Sequence, residues 1–378
     1  MASAAGAVFL LGFGEELWKR FVPKYLEALG AGAVPIGLYG AAEDFFDAVY
    51  QFPGGTIADR LGRRRAFPLF IGVASLGYLV YLLTPSWPWV FVALALAAGW
   101  NSMASPATFA VIADALPRGR RAMGFTVQSI LRRIPRLVSP VVGGALIGAF
   151  GVVAGMRIGF AATLVLAALT LLVVSRMDLP ALPSRPMRLA GVWRAFDPAL
   201  RRLLLSDVVI RTCEGLAGVF VILYVTTVRG FSVPAFSLLL AIQVATSILV
   251  YFPAARMADR IGRKPFVTAT FLAFALFPVT VALASGFPAM AIAFVVGGLR
   301  EIGEPSRKAM IVDAADAELR GRTVGLYYLV RGISVTPAAV IGGLLWRISP
   351  ATPFYVAGAV GLAGVALFVA TVEERYAG

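Results

Sequence analysis

The chain has 378 residues, 59% of them apolar and 14% charged, with a mean hydropathy of +0.84. No single soluble core of this size hides that much apolar surface, so lipid is the expected solvent. The formal net charge of +14 does not signal nucleic acid, because the basic residues sit in short connections between apolar blocks and form no stripe on a soluble face.

The lone Cys213 excludes an internal disulfide, and the absence of histidine removes the commonest metal ligand and neutral-pH proton carrier. Proton chemistry therefore falls to carboxylates. No cofactor, metal or enzymatic constellation is expected, and no G-x-x-x-x-G-K-[ST] loop points to ATP. No charged leader with a small-residue cleavage site precedes the first apolar block, so no removable signal is expected.

Blocks of about 20 apolar residues, enough to cross roughly 30 Å of hydrocarbon, predict twelve membrane helices. They fall near 4–28, 33–56, 67–84, 88–113, 123–150, 154–175, 203–228, 233–256, 265–285, 288–312, 323–347 and 353–372. Helices are required because an open strand leaves backbone groups unbonded in lipid. Arg60, Arg63, Arg64, Arg65, Arg118, Arg120 and Arg121 lie on one side. The 176–202 connection and Arg256, Arg260, Arg263, Lys264, Arg320, Arg322 and Arg375 add to it. The other side has little beyond Arg157, Arg229 and Arg347. The basic side is expected to be cytoplasmic, with both termini on it.

Ionisable residues within spans are expensive unless paired or wet, and so are the functional candidates. Glu15 lies about 16 Å into the first span at 1.5 Å per residue, and Glu214 lies at a matching depth in the seventh. The second span carries Glu43, Asp44 and Asp47; the fifth carries Arg132, Arg133 and Arg136. Asp207, Arg211 and Glu214 are spaced as a charge ladder on the seventh, as are Arg300 and Glu304 on the tenth. Arg331 on the eleventh and Asn101 on the fourth complete the set. For Asp47, Arg307 and Lys308 the favoured reading is mutual neutralisation. For Glu15, Glu43, Asn101, Arg132, Arg136, Arg211, Glu214, Arg300, Glu304 and Arg331 it is binding of substrate or protons.

The sequence repeats itself at an offset near 200. Phe52-Pro53 and Ala58-Asp59-Arg60-x-Gly62-Arg63 recur as Phe252-Pro253 and Ala258-Asp259-Arg260-x-Gly262-Arg263. Glu15, Phe21-Val22 and Tyr25 recur as Glu214, Phe220-Val221 and Tyr224, and Asp114 as Asp313. Two parallel six-helix halves follow, 1–176 and 201–378, joined by a cytoplasmic linker at 177–200.

The segment from Gly55 through Asp59, Arg60, Gly62, Arg63 and Arg65 resembles the loop signature of the major facilitator superfamily. The second copy, Ala255 to Lys264, keeps the Asp, Arg, Gly and basic positions but has Ala for the first Gly. The resemblance implies an all-α membrane fold of two pseudo-symmetric bundles that works by alternating access. It also implies a gating network of Gly55, Asp59, Arg60, Gly62, Arg63 and Asp114, with Asp259, Arg263 and Asp313 as the second set. The opposing reading is that these arginines only set topology. Ser139-Pro140 with Gly143-Gly144 is similar to a small-residue motif of family antiporters, though Thr336-Pro337 with Gly342-Gly343 makes close packing an equal explanation.

The leading expectation is proton-coupled export of small organic molecules by a monomer in the inner membrane, with protons, substrate and the lipid bilayer as partners. The buried arginines keep an organic-anion transporter open, and an amphiphile or lipid is also open. A non-transporting, transporter-like receptor is the reading from another class; the short termini argue against it.

Overall fold

The computed structural model describes residues 2–61, 63–100, 121–175, 196–314 and 320–373. No strand occurs among the described residues, and helices fill the predicted blocks. The spans, in order, begin with Ala2–Glu16 continued by Val22–Ala28, Ala33–Leu61, Arg63–Leu83 and Trp89–Ala97. Arg121–Phe150, Val152–Ser175, Pro198–Ala217 and Val233–Ile261 follow. Lys264–Leu283, Gly286–Leu299 with Glu304–Asp313, Arg320–Val335 with Pro337–Ile348, and Thr352–Thr371 complete the set. Among the described residues, eight helices are long and apolar enough to cross a bilayer. Leu249, Ile292 and Ile348 expose 74, 65 and 75% of their surface, which is ordinary when the surroundings are lipid.

The first and seventh spans break at the same point of the repeat, in 3-10 turns at Lys19–Phe21 and Gly218–Phe220. In the first, Pro23 has no N–H to return to Lys19, so the helix tightens and restarts with Pro23 in its opening turn. The seventh has glycine at the turn instead and continues through Val221–Leu223 into a π-turn at Tyr224–Val228.

The small-residue pairs of the fifth and eleventh spans bring backbones into contact. A Cβ on Gly143 would lie 1.8 Å from the Leu17 carbonyl oxygen, and one on Gly342 2.1 Å from that of Leu216. Their neighbours repeat the relation: a Cβ on Gly144 would strike Ser237, and one on Gly343 the carbonyl of Ala33. Close packing is thus the role the structure shows for both motifs.

Chain contacts define two compact units. One comprises Met1–Gly32, Ala42–Pro186 and Ser232–Ser237; the other comprises Ala33–Ala41, Met187–Phe231 and Leu238–Gly378. The glycine contacts explain why the short segments 33–41 and 232–237 each group with the opposite half of the sequence. In the first unit the first span packs on the fifth and sixth, around Trp18. That indole meets Tyr81 and Phe160 at centroid distances of 5.0 and 5.1 Å and donates Nε1–H to Thr163 Oγ1 at 3.0 Å. In the second unit the seventh and ninth spans pack on the twelfth, with Phe271 against Phe368 at 4.9 Å.

Candidate functional site

Three helices of the second unit gather their charged residues into one cluster. The seventh span places Asp207, Arg211 and Glu214 on one face by their four- and three-residue spacing. In the tenth, Arg300 caps the end of Gly286–Leu299, and Glu304, Arg307 and Lys308 open the restarted helix. Gly303 allows that break, since a Cβ there would lie 2.2 Å from the Phe266 carbonyl oxygen. The eleventh adds Tyr327, Tyr328 and Arg331.

Asp207 is the hub of this cluster. Its Oδ2 accepts from Arg307 at 2.5 Å, Tyr327 at 3.0 Å and Arg331 at 3.3 Å. Arg307 also grips both oxygens of Glu304, at 2.7 and 3.0 Å, a bidentate arrangement. Arg211 donates to Glu214 at 2.7 Å and lies 3.6 Å from Glu304. Arg300 reaches the other oxygen of Glu214 at 3.2 Å. Lys308 stands 3.7 Å from Glu304.

Burial divides the cluster into a back and a front. The Asp207 and Arg307 side chains are 0 and 1% exposed, whereas those of Arg211, Arg300 and Arg331 are 22, 17 and 20% exposed. The three accessible guanidiniums stack on aromatic rings. Arg211 and Arg300 lie 4.8 and 5.0 Å from the Phe274 centroid, and Arg331 lies 4.7 Å from that of Tyr328. Two buried atoms, Asp207 Oδ1 and Arg211 Nε, lack a hydrogen-bond partner and face each other at 4.0 Å. The arrangement can hold a fixed positive surface against a low-dielectric background.

The first unit is wired differently. Glu15 accepts from the Tyr78 hydroxyl at 2.6 Å. Glu43 pairs with Lys19 at 3.1 Å, and Arg136 with Glu16 at 3.4 Å. Sequence reasoning left Lys19 and Glu16 out of the candidate set, as it did Asp207 and Tyr327. The first two flank a break that helical spacing does not foresee: Glu16 ends the first helix and Lys19 opens the 3-10 turn. For Asp207 the signal was a carboxylate in an apolar stretch with Arg211 four residues on. Asn101 lies outside the described residues, as does the side chain of Arg132.

Among the expected gate residues, Arg263 bonds directly to Asp313. Gly262, in the turn before it, has φ +110°, a left-handed conformation that favours glycine. Gly62 and Asp114 lie outside the described residues, as do the surroundings of Gly55 and the side chains of Asp59, Arg60, Arg63 and Asp259. Four aromatic residues whose sequence fits cavity lining, lipid contact or helix packing equally well divide by burial: Trp18, Trp100 and Tyr327 are buried and Phe45 is exposed. Among the described residues no group of three or more carboxylate or cysteine side chains is disposed to hold a metal ion.

A two-repeat bundle of membrane helices with ion-paired intramembrane charges defines a polytopic transporter. The family model for the Major Facilitator Superfamily matches residues 4–228 and 203–378, and the chain belongs to that family. It is 22% identical over 365 residues to the MFS-type transporter MJ1317 of Methanocaldococcus jannaschii, spanning 92% of this chain and 90% of that one. A stretch of 128 residues is 30% identical to a Na(+), Li(+), K(+)/H(+) antiporter of Planococcus maritimus, covering 32% of this chain and 30% of that one. Another, of 137 residues, is 24% identical to the quinolone resistance protein NorA of Staphylococcus aureus, covering 36 and 35%. The crystal structure of the nucleoside transporter NupG superposes with a TM-score of 0.84 at 12% identity, over 98% of this chain and 99% of that one, a likeness of fold alone.

Proposed function

We propose that this transporter exports small organic molecules in exchange for protons, with Glu15 as the proton-carrying carboxylate. One observation carries the reading. Glu15 is held by a neutral phenol, Tyr78, while its repeat partner Glu214 is clamped between Arg211 and Arg300. A carboxylate bonded to a hydroxyl gains a proton without stranding a cation; one between two arginines does not. Lys19, Glu16 and Glu43 lie within electrostatic reach of Glu15 and supply the field that changes as the site opens. The names of two partial relatives, a quinolone resistance protein and a proton-exchanging antiporter, support export and proton exchange.

In this reading the halves 1–176 and 201–378, joined through 177–200, alternate access as a monomer in the inner membrane, with both termini cytoplasmic. The Arg263–Asp313 bond, and the matching Asp59, Arg63 and Asp114, close the cytoplasmic end. The test is transport in proteoliposomes under an imposed pH gradient. Glu15→Gln should lose at least tenfold of pH-driven accumulation while keeping counterflow of labelled substrate. Full pH-driven accumulation in Glu15→Gln would remove Glu15 from the mechanism.

A further inference from the structure

The charge cluster of the second unit does not balance. Its four guanidiniums share three carboxylates, and counting Lys308 and Glu301 as well leaves the excess at one positive charge. A guanidinium stays protonated at any pH a protein survives. Protonating a carboxylate only enlarges the excess, so the cluster carries at least one net positive charge under all working conditions. Within a membrane such a charge calls for a counter-ion or for water.

The geometry identifies which cation is in excess. Arg307 is buried and held by Asp207 and both oxygens of Glu304. Arg211 and Arg300 divide Glu214 between them. Arg331 is left to share Asp207 Oδ2 with Arg307 and the Tyr327 hydroxyl, as the longest of the three bonds at 3.3 Å. One oxygen cannot serve two guanidiniums and a phenol equally well. Arg331 therefore gives up its share at the least cost, because Arg307 and Tyr327 keep Asp207 Oδ2 bonded when it swings away. It is also partly accessible, and Tyr328 backs its flat face at 4.7 Å, which leaves the N–H edge for an incoming acceptor.

A planar carboxylate matches that edge, accepting two parallel N–H bonds. Tyr328, only partly buried beside Arg331, offers apolar surface for the body of the molecule. We propose that Arg331, flanked by Arg211 at the other side of Asp207, binds the carboxylate of a small organic anion, and that this anion is the cargo. The inference rests on the transport reading above and names its substrate class. A carboxylate arriving here leaves Asp207 on Arg307 and brings the cluster to neutrality.

The test uses the full chain in lipid nanodiscs, with benzoate, salicylate and octanoate as probes, each against its neutral amide. The aryl and alkyl arms separate a compact anion from an amphiphile. Tryptophan fluorescence and thermal unfolding report binding. At least one carboxylate should bind tenfold more tightly than its amide, Arg331→Gln should abolish the difference, and Arg331→Lys should keep part of it. If Arg331→Gln does not yield monodisperse protein, the wild-type comparison and Arg331→Lys decide. Amides that bind as well as every acid would overturn the proposal, as would an acid preference untouched at Arg331. Glu15→Gln separates the two readings. It should keep the acid preference while losing pH-driven flux, so a failure of proton coupling leaves the anion site standing, and the reverse holds too.

Discussion

Glu15 and Glu214 occupy the same place in the repeat, yet their surroundings are opposite. Glu214 is fixed by Arg211 and Arg300; Glu15 has Tyr78. The difference is written at the matching positions of the first half, where an offset of 199 puts Gly12 opposite Arg211 and Asn101 opposite Arg300. The backbone is duplicated down to its helix breaks and its glycine contacts, while the charges are not. Symmetry sets where helices kink and touch. Asymmetry decides which glutamate is held between arginines and which by a phenol.

The largest effect that probes this comparison is Asp207→Asn. Removing the hub charge leaves the enclosed Arg307 with Glu304 as its one remaining carboxylate partner and should destabilise the protein by about 3 kcal/mol, the lower end of the cost of breaking a buried pair. Glu15→Gln should lower stability by less than about 1 kcal/mol, since an amide still accepts from Tyr78. Thermal unfolding of the two variants in the same lipid decides the matter. Equal losses would mean that both halves use their carboxylates structurally, and the comparison would collapse.

The glycine pairs test the symmetric part. Gly143→Ala and Gly342→Ala each drive a methyl into a backbone carbonyl, at Leu17 and Leu216, and should destabilise by similar amounts, about 1–3 kcal/mol each. Gly72→Ala, where nothing lies within 4 Å of the added atom, should instead be neutral or gain up to about 1 kcal/mol from helix propensity. A large gap between Gly143→Ala and Gly342→Ala would show that the two halves are not packed alike.

Most of the fold was legible in sequence because lipid makes apolar length and basic asymmetry almost sufficient. Among the described residues the span ends agree with the structure to within about five residues, and the expected end of the fourth span lies outside them. The 3-10 breaks in the first and seventh spans were not foreseen, because Pro23 and Gly218 are tolerated in membrane helices and carry no period signal. The candidate site was partly legible. The ladder Asp207, Arg211 and Glu214 and the pair Arg300 and Glu304 follow from spacing along one helix. The join between ladders does not, because which charge on the tenth span meets which on the seventh depends on rotation and on the break at Gly303. The role of Tyr327 stayed open for a related reason, since an aromatic residue in a membrane helix faces lipid, core or site with equal ease until its hydroxyl finds Asp207.

The smallest effect on stability, and the most discriminating for the cycle, concerns Arg263 and Asp313. Their side chains are 33 and 61% exposed, so solvent screens the pair and its loss should cost less than about 1 kcal/mol. In the proposed cycle a latch of that strength suits a transporter, because a state held by many kcal/mol would not open on the timescale of turnover. Asp313→Asn should leave the unfolding temperature within a degree or two while changing turnover several-fold. High salt should move the wild type toward the variant, since the Debye length falls from about 10 Å at 0.1 M to 3 Å at 1 M. The double variant with Arg263→Ala should change turnover no further than Asp313→Asn alone. Additive effects would mean that the two residues set membrane topology separately and that their bond holds nothing shut.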